Sequence, residues 1–354
     1  MIDRFLEVMA EIGKPLDVFE SPDGSRMLVL PHGGRVLGLF APGDEENFFW
    51  VNEALADGAA ARALIEGDAW QNLGGDRTWL APELDFFYPD YPDLSSYAPP
   101  RAFDPGHYQL TRSGAAIELS NVLTLRSNRL RETFRLKLIK KLTSAPSPLR
   151  YEKIGADSAG LRYAGYTLKT SLEIVDGPAG SRQGIGIWNL LQMPEGGELL
   201  IPTCVQTEPR LYFGTIVPEE LVVEPHLIRL RMRSPGVQKF GVRATALTGR
   251  AGYLLRAGSQ WTLIVRNFSV NPSGDYVDTP AADRNNLIDC LQVCHVNGSL
   301  GVFNELEYHA PAISLQHGQA QSLDISQVWA FRGDAEAIHA VCQTLLSSEL
   351  RALN

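Results

Sequence analysis

The segment Phe303-Asn-Glu-Leu-Glu-Tyr-His-Ala-Pro311 decides the fold, because its polar and apolar side chains alternate with the period of a β-strand. Successive side chains on a strand point to opposite faces of its sheet. Glu305, Glu307 and His309 therefore share one face, and the two residues between them take the other. The pattern predicts a strand that carries three ionisable groups in a row.

Two carboxylates and an imidazole at this spacing suit three kinds of chemistry. They can transfer protons, hold a divalent metal ion or bind a polyhydroxylated ligand. A metal ion at Glu305, Glu307 and His309 would need further oxygen ligands from elsewhere in the chain. The alternative for the same row is the solvated outer face of an ordinary strand.

Most of the remaining sequence also predicts short strands, separated by turns that use many of the 32 glycines and 22 prolines. The strand patterns lie at residues 26–30, 35–40, 184–188, 198–202, 227–232 and 261–268. Helical spacing predicts four helices, at residues 2–12, 54–65, 281–293 and 334–353. No segment repeats and the composition does not shift, so we expect one all-β domain over residues 1–354 with a few peripheral helices.

Charge and composition exclude several classes of partner. A hydrophobic content of 44% over 354 residues is enough to bury a large core. The net charge of −9 disfavours binding to nucleic acid or to an anionic membrane surface. Residues 126–141 contain seven Lys or Arg, but the alternation over residues 133–139 indicates a half-buried strand with a solvated charged face. We therefore expect no nucleic-acid partner.

Neither a secretory signal nor a membrane span is predicted. The first 15 residues mix charged and apolar side chains, and no stretch reaches the roughly 18 apolar residues that a spanning helix needs. The four cysteines form no disulfide framework, and Cys290, Cys294 and His295 supply too few ligands for a zinc site. We expect a cytoplasmic protein without a membrane partner, in which Cys290 and Cys294 are buried in a helix.

Prolines and aromatic residues dominate residues 88–100. A mobile linker rarely carries so many rings, so we expect an ordered loop packed on the body of the protein. Its rings either border a binding cleft or pack against the domain's own surface.

Four parts of the chain contain motifs in the order found in one carbohydrate-related superfamily. These are residues 33–39 with 47–52, the segment Gly74-Gly-Asp-Arg-Thr-Trp-Leu-Ala-Pro-Glu83, residues 187–192 with 195–197, and residues 305–311 followed by Leu315, Gly318, Trp329 and Phe331. The chain thus resembles the galactose-mutarotase-like superfamily (aldose 1-epimerase-like proteins), and especially a bacterial branch with a Gly-Gly-x-Arg-x-Trp-x-x-Pro-Glu signature.

The resemblance implies a large twisted antiparallel β-sandwich, the mutarotase-like supersandwich, with a sugar-binding cleft on the concave face of one sheet. In aldose epimerases of this superfamily a glutamate base removes the anomeric hydroxyl proton, and a histidine acid protonates the ring oxygen. By position in the closing motif, Glu305 or Glu307 corresponds to the base, with Glu305 favoured, and His309 would assist.

This sequence departs from the epimerases in its middle. Where they place the acid histidine, this chain has Trp188, Asn189 and Gln192. A flat ring beside neutral amides is typical of carbohydrate recognition, so these three are candidate substrate-binding residues. A buried, purely structural Trp188 is the alternative.

The signature segment and one later strand add further candidates for substrate binding. Arg77 offers a fork of donors for a carboxylate or vicinal hydroxyls, Trp79 offers a face for a sugar ring, and Glu83 closes the signature. Lys239 suits an acidic sugar. The structural alternative is a salt bridge from Arg77 to Asp76 or Glu83 over a buried Trp79.

The sequence therefore predicts a carbohydrate-active protein, either an aldose or uronate epimerase with a glutamate base or a non-catalytic sugar-binding module. A metal-dependent carbohydrate lyase or hydrolase at Glu305, Glu307 and His309 is the third hypothesis. Apart from such a metal, no cofactor is predicted. The expected partner is a small or oligomeric carbohydrate, and no oligomeric state is indicated.

Overall fold

The protein consists mainly of β-strands. The computed structural model describes residues 2–67, 70, 72–152, 160–231, 233 and 235–347. The first strands are β1 (Asp17–Glu20), β2 (Arg26–Leu30), β3 (Arg35–Phe40), β4 (Asp76–Ala81), β5 (Gln109–Ser113), β6 (Ala116–Ser127), β7 (Glu132–Ser144), β8 (Arg162–Asp176) and β9 (Gly186–Pro194). The later strands are β10 (Glu198–Pro202), β11 (Arg210–Phe213), β12 (Leu221–Glu224), β13 (Leu227–Leu230), β14 (Gly236–Arg243), β15 (Arg250–Ala257), β16 (Gln260–Phe268), β17 (Asp289–Gly298), β18 (Gly301–His309) and β19 (Gln321–Gly333).

The described strands form two antiparallel sheets. The first has nine strands in the order β1-β2-β3-β4-β9-β18-β17-β14-β11. The second has ten strands in the order β12-β13-β10-β15-β16-β19-β8-β7-β6-β5. Buried side chains of both sheets, such as Leu39 and Leu306 of the first and Leu136 and Tyr166 of the second, belong to one hydrophobic cluster. The expected all-β sandwich is thus confirmed.

Helices lie outside this layered core. They are α1 (Ile2–Glu11), α2 (Gly58–Glu66), the single turn α3 (Glu83–Phe86) and α4 (Ala335–Leu346). Helix α4 packs on the outer face of the second sheet, where Leu263 and Val265 of β16 share a buried cluster with Ile338 and Val341. No helix among the described residues is long and apolar enough to cross a membrane.

Each predicted strand is present, and one helix prediction is wrong. The strand predicted at residues 184–188 begins at Gly186, and the one predicted at residues 227–232 ends at Leu230, with Met232 outside the described residues. Strands β2, β3 and β10 have the predicted bounds, and the end of the predicted C-terminal helix, residues 348–353, lies outside the described residues. Residues 281–293, however, form no helix, and β17 begins at Asp289. Cys290 and Cys294 are buried as expected, but in this strand. Both faces of β17 are covered, so its sequence lacks the polar alternation that marks a half-exposed strand.

The charged strand at residues 133–139 is confirmed as part of β7, whose side chains are alternately buried and exposed over most of its length. One of its lysines departs from the predicted solvated face. Lys140 is 1% exposed, and its Nζ donates a 2.6 Å hydrogen bond to the carbonyl of Gly34. This contact ties the second sheet to the turn before β3.

A polar layer between the sheets fixes the position of β4. The carboxylate of Asp76 pairs with Arg266 of β16 at 2.6 Å, and it also accepts a hydrogen bond from the Tyr166 hydroxyl. Because neighbouring side chains on a strand point to opposite faces, Arg77 and Trp79 are directed to the outer side of the first sheet. The buried ion pair thereby anchors the strand that presents them.

The two glycines of the signature allow β4 to lie close to its neighbours. Gly75 has a φ of +77°, and a Cβ there would lie 2.3 Å from the carbonyl oxygen of Val36. Gly74 has a φ of +95°, and its Cβ would lie 2.5 Å from the carbonyl oxygen of Trp50. Only glycine meets both the backbone and the space requirement at these positions.

Candidate functional site

Five neighbouring strands of the first sheet present a block of polar and aromatic side chains on its outer face. One row across the sheet is Gln192, Glu305, Cys294 and Lys239, from β9, β18, β17 and β14. The adjacent row contains Glu307 between Leu190 and Gln292. Strand register thus brings together residues that are far apart in the sequence.

These side chains line a cavity of about 210 Å³, called here the groove. Its aromatic residues include Trp70, Trp79, Tyr88, Tyr97, Trp188 and Phe213. Its titratable residues are Arg77, Glu83, Lys239, Cys294, Glu305 and Glu307. The proline-rich loop expected at residues 88–100 supplies two of the rings and so borders the groove.

Glu305 is held by two donors on the floor of the groove. Its Oε1 accepts hydrogen bonds from Arg77 Nη2 and from Gln192 Nε2, each at 2.9 Å. The Arg77 guanidinium also lies 4.1 Å from the ring centroid of Trp79. The salt bridge predicted from Arg77 to Asp76 or Glu83 is therefore wrong, and Glu305 is the partner.

Arg77 and Gln192 retain unused hydrogen-bonding atoms at this point. Among the described residues, Arg77 Nε and Nη1 and Gln192 Oε1 are buried without a hydrogen-bond partner. Unpaired buried polar atoms cost free energy, so a ligand that supplies acceptors for Arg77 and a donor for Gln192 would relieve that cost. Hydroxyl groups are both donors and acceptors and meet this requirement.

Lys239 lies among three carboxylates and beneath one ring. Its Nζ is 3.3 Å from Glu307, 3.7 Å from Glu83 and 3.6 Å from Asp278, and it lies 4.3 Å from the ring centroid of Trp188. Burial opposes the charge of Lys239, but the three carboxylates outweigh it and raise its pKa well above the ordinary value. The lysine is therefore a fixed cation at the centre of the cluster.

Two carboxyl groups of this cluster titrate near neutral pH. Burial raises the pKa of Glu307 to about 7, against the opposing effect of Lys239. Burial likewise raises the pKa of Glu83 to about 7. At Asp278 burial works in the same direction, but Lys239 and hydrogen bonds outweigh it and lower the pKa. Glu307 and Glu83 can therefore both accept and release a proton at pH 7.

The hydrogen bonds of Glu307 leave it anchored in the groove. Trp188 Nε1 donates a 2.7 Å bond to Glu307 Oε2, the oxygen that also faces Lys239. Glu307 is 1% exposed, and Glu305 is 6% exposed. The solvated outer face that was the alternative for this row is thus wrong.

His309 shares the face of Glu305 and Glu307, as predicted, but it is not part of the groove lining. Its ring stacks on Trp188 with centroids 5.4 Å apart. Burial lowers its pKa to about 3, so the imidazole is neutral at pH 7. The structure therefore brings together two members of the predicted catalytic trio and places the third behind Trp188.

Asn189, a predicted substrate-binding residue, lies on the opposite face of β9. Its Oδ1 accepts a 2.6 Å hydrogen bond from Thr78 Oγ1, and its Nδ2 donates a 2.7 Å bond to the Tyr308 hydroxyl. The physical reason is the strand period, since Trp188 next to it faces the groove. The other predicted binding residues, Arg77, Trp79, Glu83, Trp188, Gln192 and Lys239, all line the groove.

One cluster of groove atoms has the spacing of metal ligands. The Sγ of Cys294 and carboxylate oxygens of Glu305 and Glu307 lie within 4.8 Å of one another. This set replaces His309 of the predicted metal site by Cys294, whose thiol pKa is raised by burial. Arg77 and Lys239 already neutralise the two carboxylates, so a metal ion would have to displace these cations.

Sequence reasoning missed several residues of the site. Trp70 and Phe213 lie outside every motif, and no periodic pattern in the sequence marks either residue. Asp278 lies in a loop and carries no periodic pattern, yet its Oδ1 accepts a 2.8 Å hydrogen bond from the backbone N–H of Glu83. That bond positions the first residue of α3 against the groove.

One family model matches almost the whole chain. The model of one protein family, "Family of unknown function (DUF6786)", matches residues 5–354. No curated protein matches the sequence.

Solved structures show a distant similarity. A galactose mutarotase related enzyme from Lactobacillus acidophilus is 8% identical, with 90% of this chain and 97% of that chain covered and a TM-score of 0.44. A GalM/aldose epimerase homologue from C. elegans is 8% identical, with 91% and 99% covered and a TM-score of 0.45.

Proposed function

Since the chain belongs to the Family of unknown function (DUF6786), we propose its function from the chemistry of the groove: it binds a carbohydrate of about monosaccharide size and transfers protons at that ligand. The observation that carries the proposal is the pair Glu305 and Glu307, buried side by side on one strand among aromatic rings and two cations. Such a site suits a ring-shaped, polyhydroxylated ligand.

The binding part of the proposal rests on complementary surfaces. The partly exposed rings of Tyr88, Tyr97 and Phe213 offer apolar surface to the C–H side of a sugar ring. The unpartnered atoms of Arg77 and Gln192 offer hydrogen bonds to its hydroxyls. A few placed polar groups within a mostly apolar wall are typical of small-molecule sites.

The catalytic part rests on two carboxyl groups on different walls of the groove. Glu307 belongs to the sheet, and Glu83 belongs to α3, yet both approach the same lysine nitrogen. A ligand between them has one proton acceptor and one proton donor within the same cavity. Because each pKa is raised to about 7, states in which one of the two carries a proton and the other does not are populated near neutral pH.

In this proposal Glu305 orients the ligand and Glu307 takes its proton. Glu305 accepts hydrogen bonds from Arg77 and Gln192, which fix its carboxylate beside the ligand space. Glu83 supplies the acid that the sequence lacks at the mid-chain strand. The reaction class is proton transfer at the anomeric centre of an aldose or uronate.

The test is exchange NMR of anomer interconversion over a panel of aldoses and uronic acids. We expect the wild-type protein to accelerate interconversion of at least one sugar, and Glu307→Gln to abolish the acceleration. Glu20→Gln, at an exposed position of β1, is the matched control and should retain wild-type rates.

Two outcomes would contradict parts of the proposal. Sugar binding in calorimetry without any chemical change would leave a non-catalytic binding module. The absence of both binding and turnover across the panel would refute carbohydrate as the ligand class.

A further inference from the structure

A second cavity lies beside the groove and shares a wall with it. Helix α3 presents Glu83 to the groove and Leu84 and Asp85 to this second cavity, which has a volume of about 300 Å³. Three arginines line it, and with two polar neighbours they define what we call the arginine pocket: Arg129, Arg182, Arg284, Thr279 and Asn285, together with Asp85. Nothing in the carbohydrate chemistry proposed above uses these residues.

Arg129 is fixed in place by a buried acid. Asp85, 2% exposed, accepts hydrogen bonds from Arg129 Nε at 2.6 Å and from Nη2 at 2.9 Å. Gln183 Nε2 donates a further 2.9 Å bond to Asp85, and the Ser127 hydroxyl in turn donates a 2.6 Å bond to Gln183. This network uses one edge of the guanidinium and leaves Nη1 without a partner among the described residues. Because these hydrogen bonds already fix the conformation of Arg129, little side-chain entropy is lost when a ligand binds to it.

The other two arginines also keep free donors. The guanidinium of Arg284 lies 4.6 Å from the ring centroid of Tyr91, and Arg284 makes no hydrogen bond or ion pair within the described part of the chain. Arg182 has no ion pair or hydrogen bond within the described part of the chain. Both side chains therefore have unused capacity next to the fixed Arg129.

The arginine pocket is positively charged, whereas the whole protein is negatively charged. Three guanidinium groups meet the single carboxylate of Asp85, whereas the chain as a whole has a net charge of −9. Planar forks of donors match the spacing of oxygens on phosphate, sulfate or carboxylate groups. Thr279 and Asn285 add neutral hydrogen-bonding groups at the same cavity.

We propose that the arginine pocket is a binding site for a small oxyanion, held by Arg129, Arg182 and Arg284. Arg129 is the preformed half of the site, and the two less constrained arginines close on the remaining oxygens. The site is separate from the carbohydrate groove, so the proposal stands whether or not the groove is catalytic.

The experiment is isothermal titration of the full chain with inorganic phosphate, sulfate and malonate, each at constant ionic strength set with chloride. We expect saturable binding of at least one of these anions. The double variant Arg182→Ala/Arg284→Ala should weaken it by about tenfold or more, since charge-assisted hydrogen bonds are lost. Arg256→Ala removes an exposed arginine of β15 far from the pocket lining and should leave the affinity unchanged.

Each outcome decides the proposal. No saturable binding above the chloride background, or equal weakening in the pocket and control variants, overturns it. Tighter binding of phosphate or sulfate than malonate assigns a tetrahedral oxyanion, and the reverse assigns a carboxylate. If the double variant does not fold, as judged by its thermal transition without anion, Arg182→Ala alone gives the same comparison, because this exposed side chain has no hydrogen bond or ion pair to lose among the residues that the structure describes.

Discussion

Replacement of Glu307 by glutamine should stabilise the protein increasingly as the pH rises. Burial raises the pKa of Glu307 from an ordinary value of 4.5 to about 7, so the folded state holds its proton more tightly than the unfolded chain does. Stability that depends on this proton is fully present below pH 4.5 and is lost as the pH rises toward 7. Glutamine resembles the protonated acid and carries no such dependence.

The difference between the two pKa values sets the size of the effect. The difference between a pKa of 4.5 in the unfolded chain and about 7 in the folded protein corresponds to about 3 kcal/mol of unfolding free energy at pH 8. Glu83 titrates in the same range beside the same lysine, so the two groups share the proton, and an observed gain of about 1–3 kcal/mol is expected. At pH 4.5 the two proteins should be nearly equal in stability.

The assay is urea unfolding of wild type and Glu307→Gln at several pH values between 4.5 and 8. The comparison at each pH cancels the contribution of every other titratable group that the two proteins share. Glu20→Gln serves as the control and should show no pH-dependent difference. A difference that stays constant with pH, or that favours the wild type at pH 8, would refute the assignment of a buried carboxylate that ionises at a cost.

Further predictions concern the ion pair, the signature glycines and metal dependence. Arg77→Met should lower the free energy of unfolding by about 3–5 kcal/mol in urea titrations, because it leaves Glu305 buried without its cation. Arg77→Lys keeps a positive charge and should lower the free energy of unfolding by less. Gly75→Ala should lower the melting temperature far more than Gly43→Ala. Both glycines have a positive φ, but only at Gly75 would the added Cβ meet a backbone atom, the carbonyl oxygen of Val36, at 2.3 Å. Extensive treatment with a chelator should leave ligand binding in the groove unchanged, because Arg77 and Lys239 already neutralise its carboxylates. Calorimetry before and after dialysis measures this. A loss of binding that Mn²⁺ or Zn²⁺ restores would instead support the metal-dependent hypothesis.

The fold could be predicted largely because strands leave a local signature. Alternation over residues 303–309 indicated β18 and correctly placed Glu305 and Glu307 on one face. The failure at residues 281–293 has the opposite cause. On β17 one face packs against the core and the other lies beneath the groove and its surrounding side chains. Leu291 and Gln292 are therefore equally buried, and the sequence does not show the alternation of polar and apolar residues that marks a half-exposed strand.

The site was harder to predict than the fold, because it depends on strand register. Local pattern pointed to Arg77, Trp188 and Lys239 separately, whereas the pairing of β4, β9, β18, β17 and β14 that joins them is a property of the whole sheet. Asn189 shows that a strand position must be predicted to within one residue to place a side chain in the groove. A shift of one position along a strand moves a side chain from the groove to the interior.

The ion pair between Arg77 and Glu305 has a consequence for the time course of folding. The two residues are 228 positions apart in the chain, and contacts at such a separation form late because a long loop must close first. During synthesis, β4 and its arginine leave the ribosome long before β18 exists. Until then the first sheet lacks the strand that pairs with β9, so β9 presents an open edge at which another chain could pair. We therefore expect the groove to form only at the end of folding.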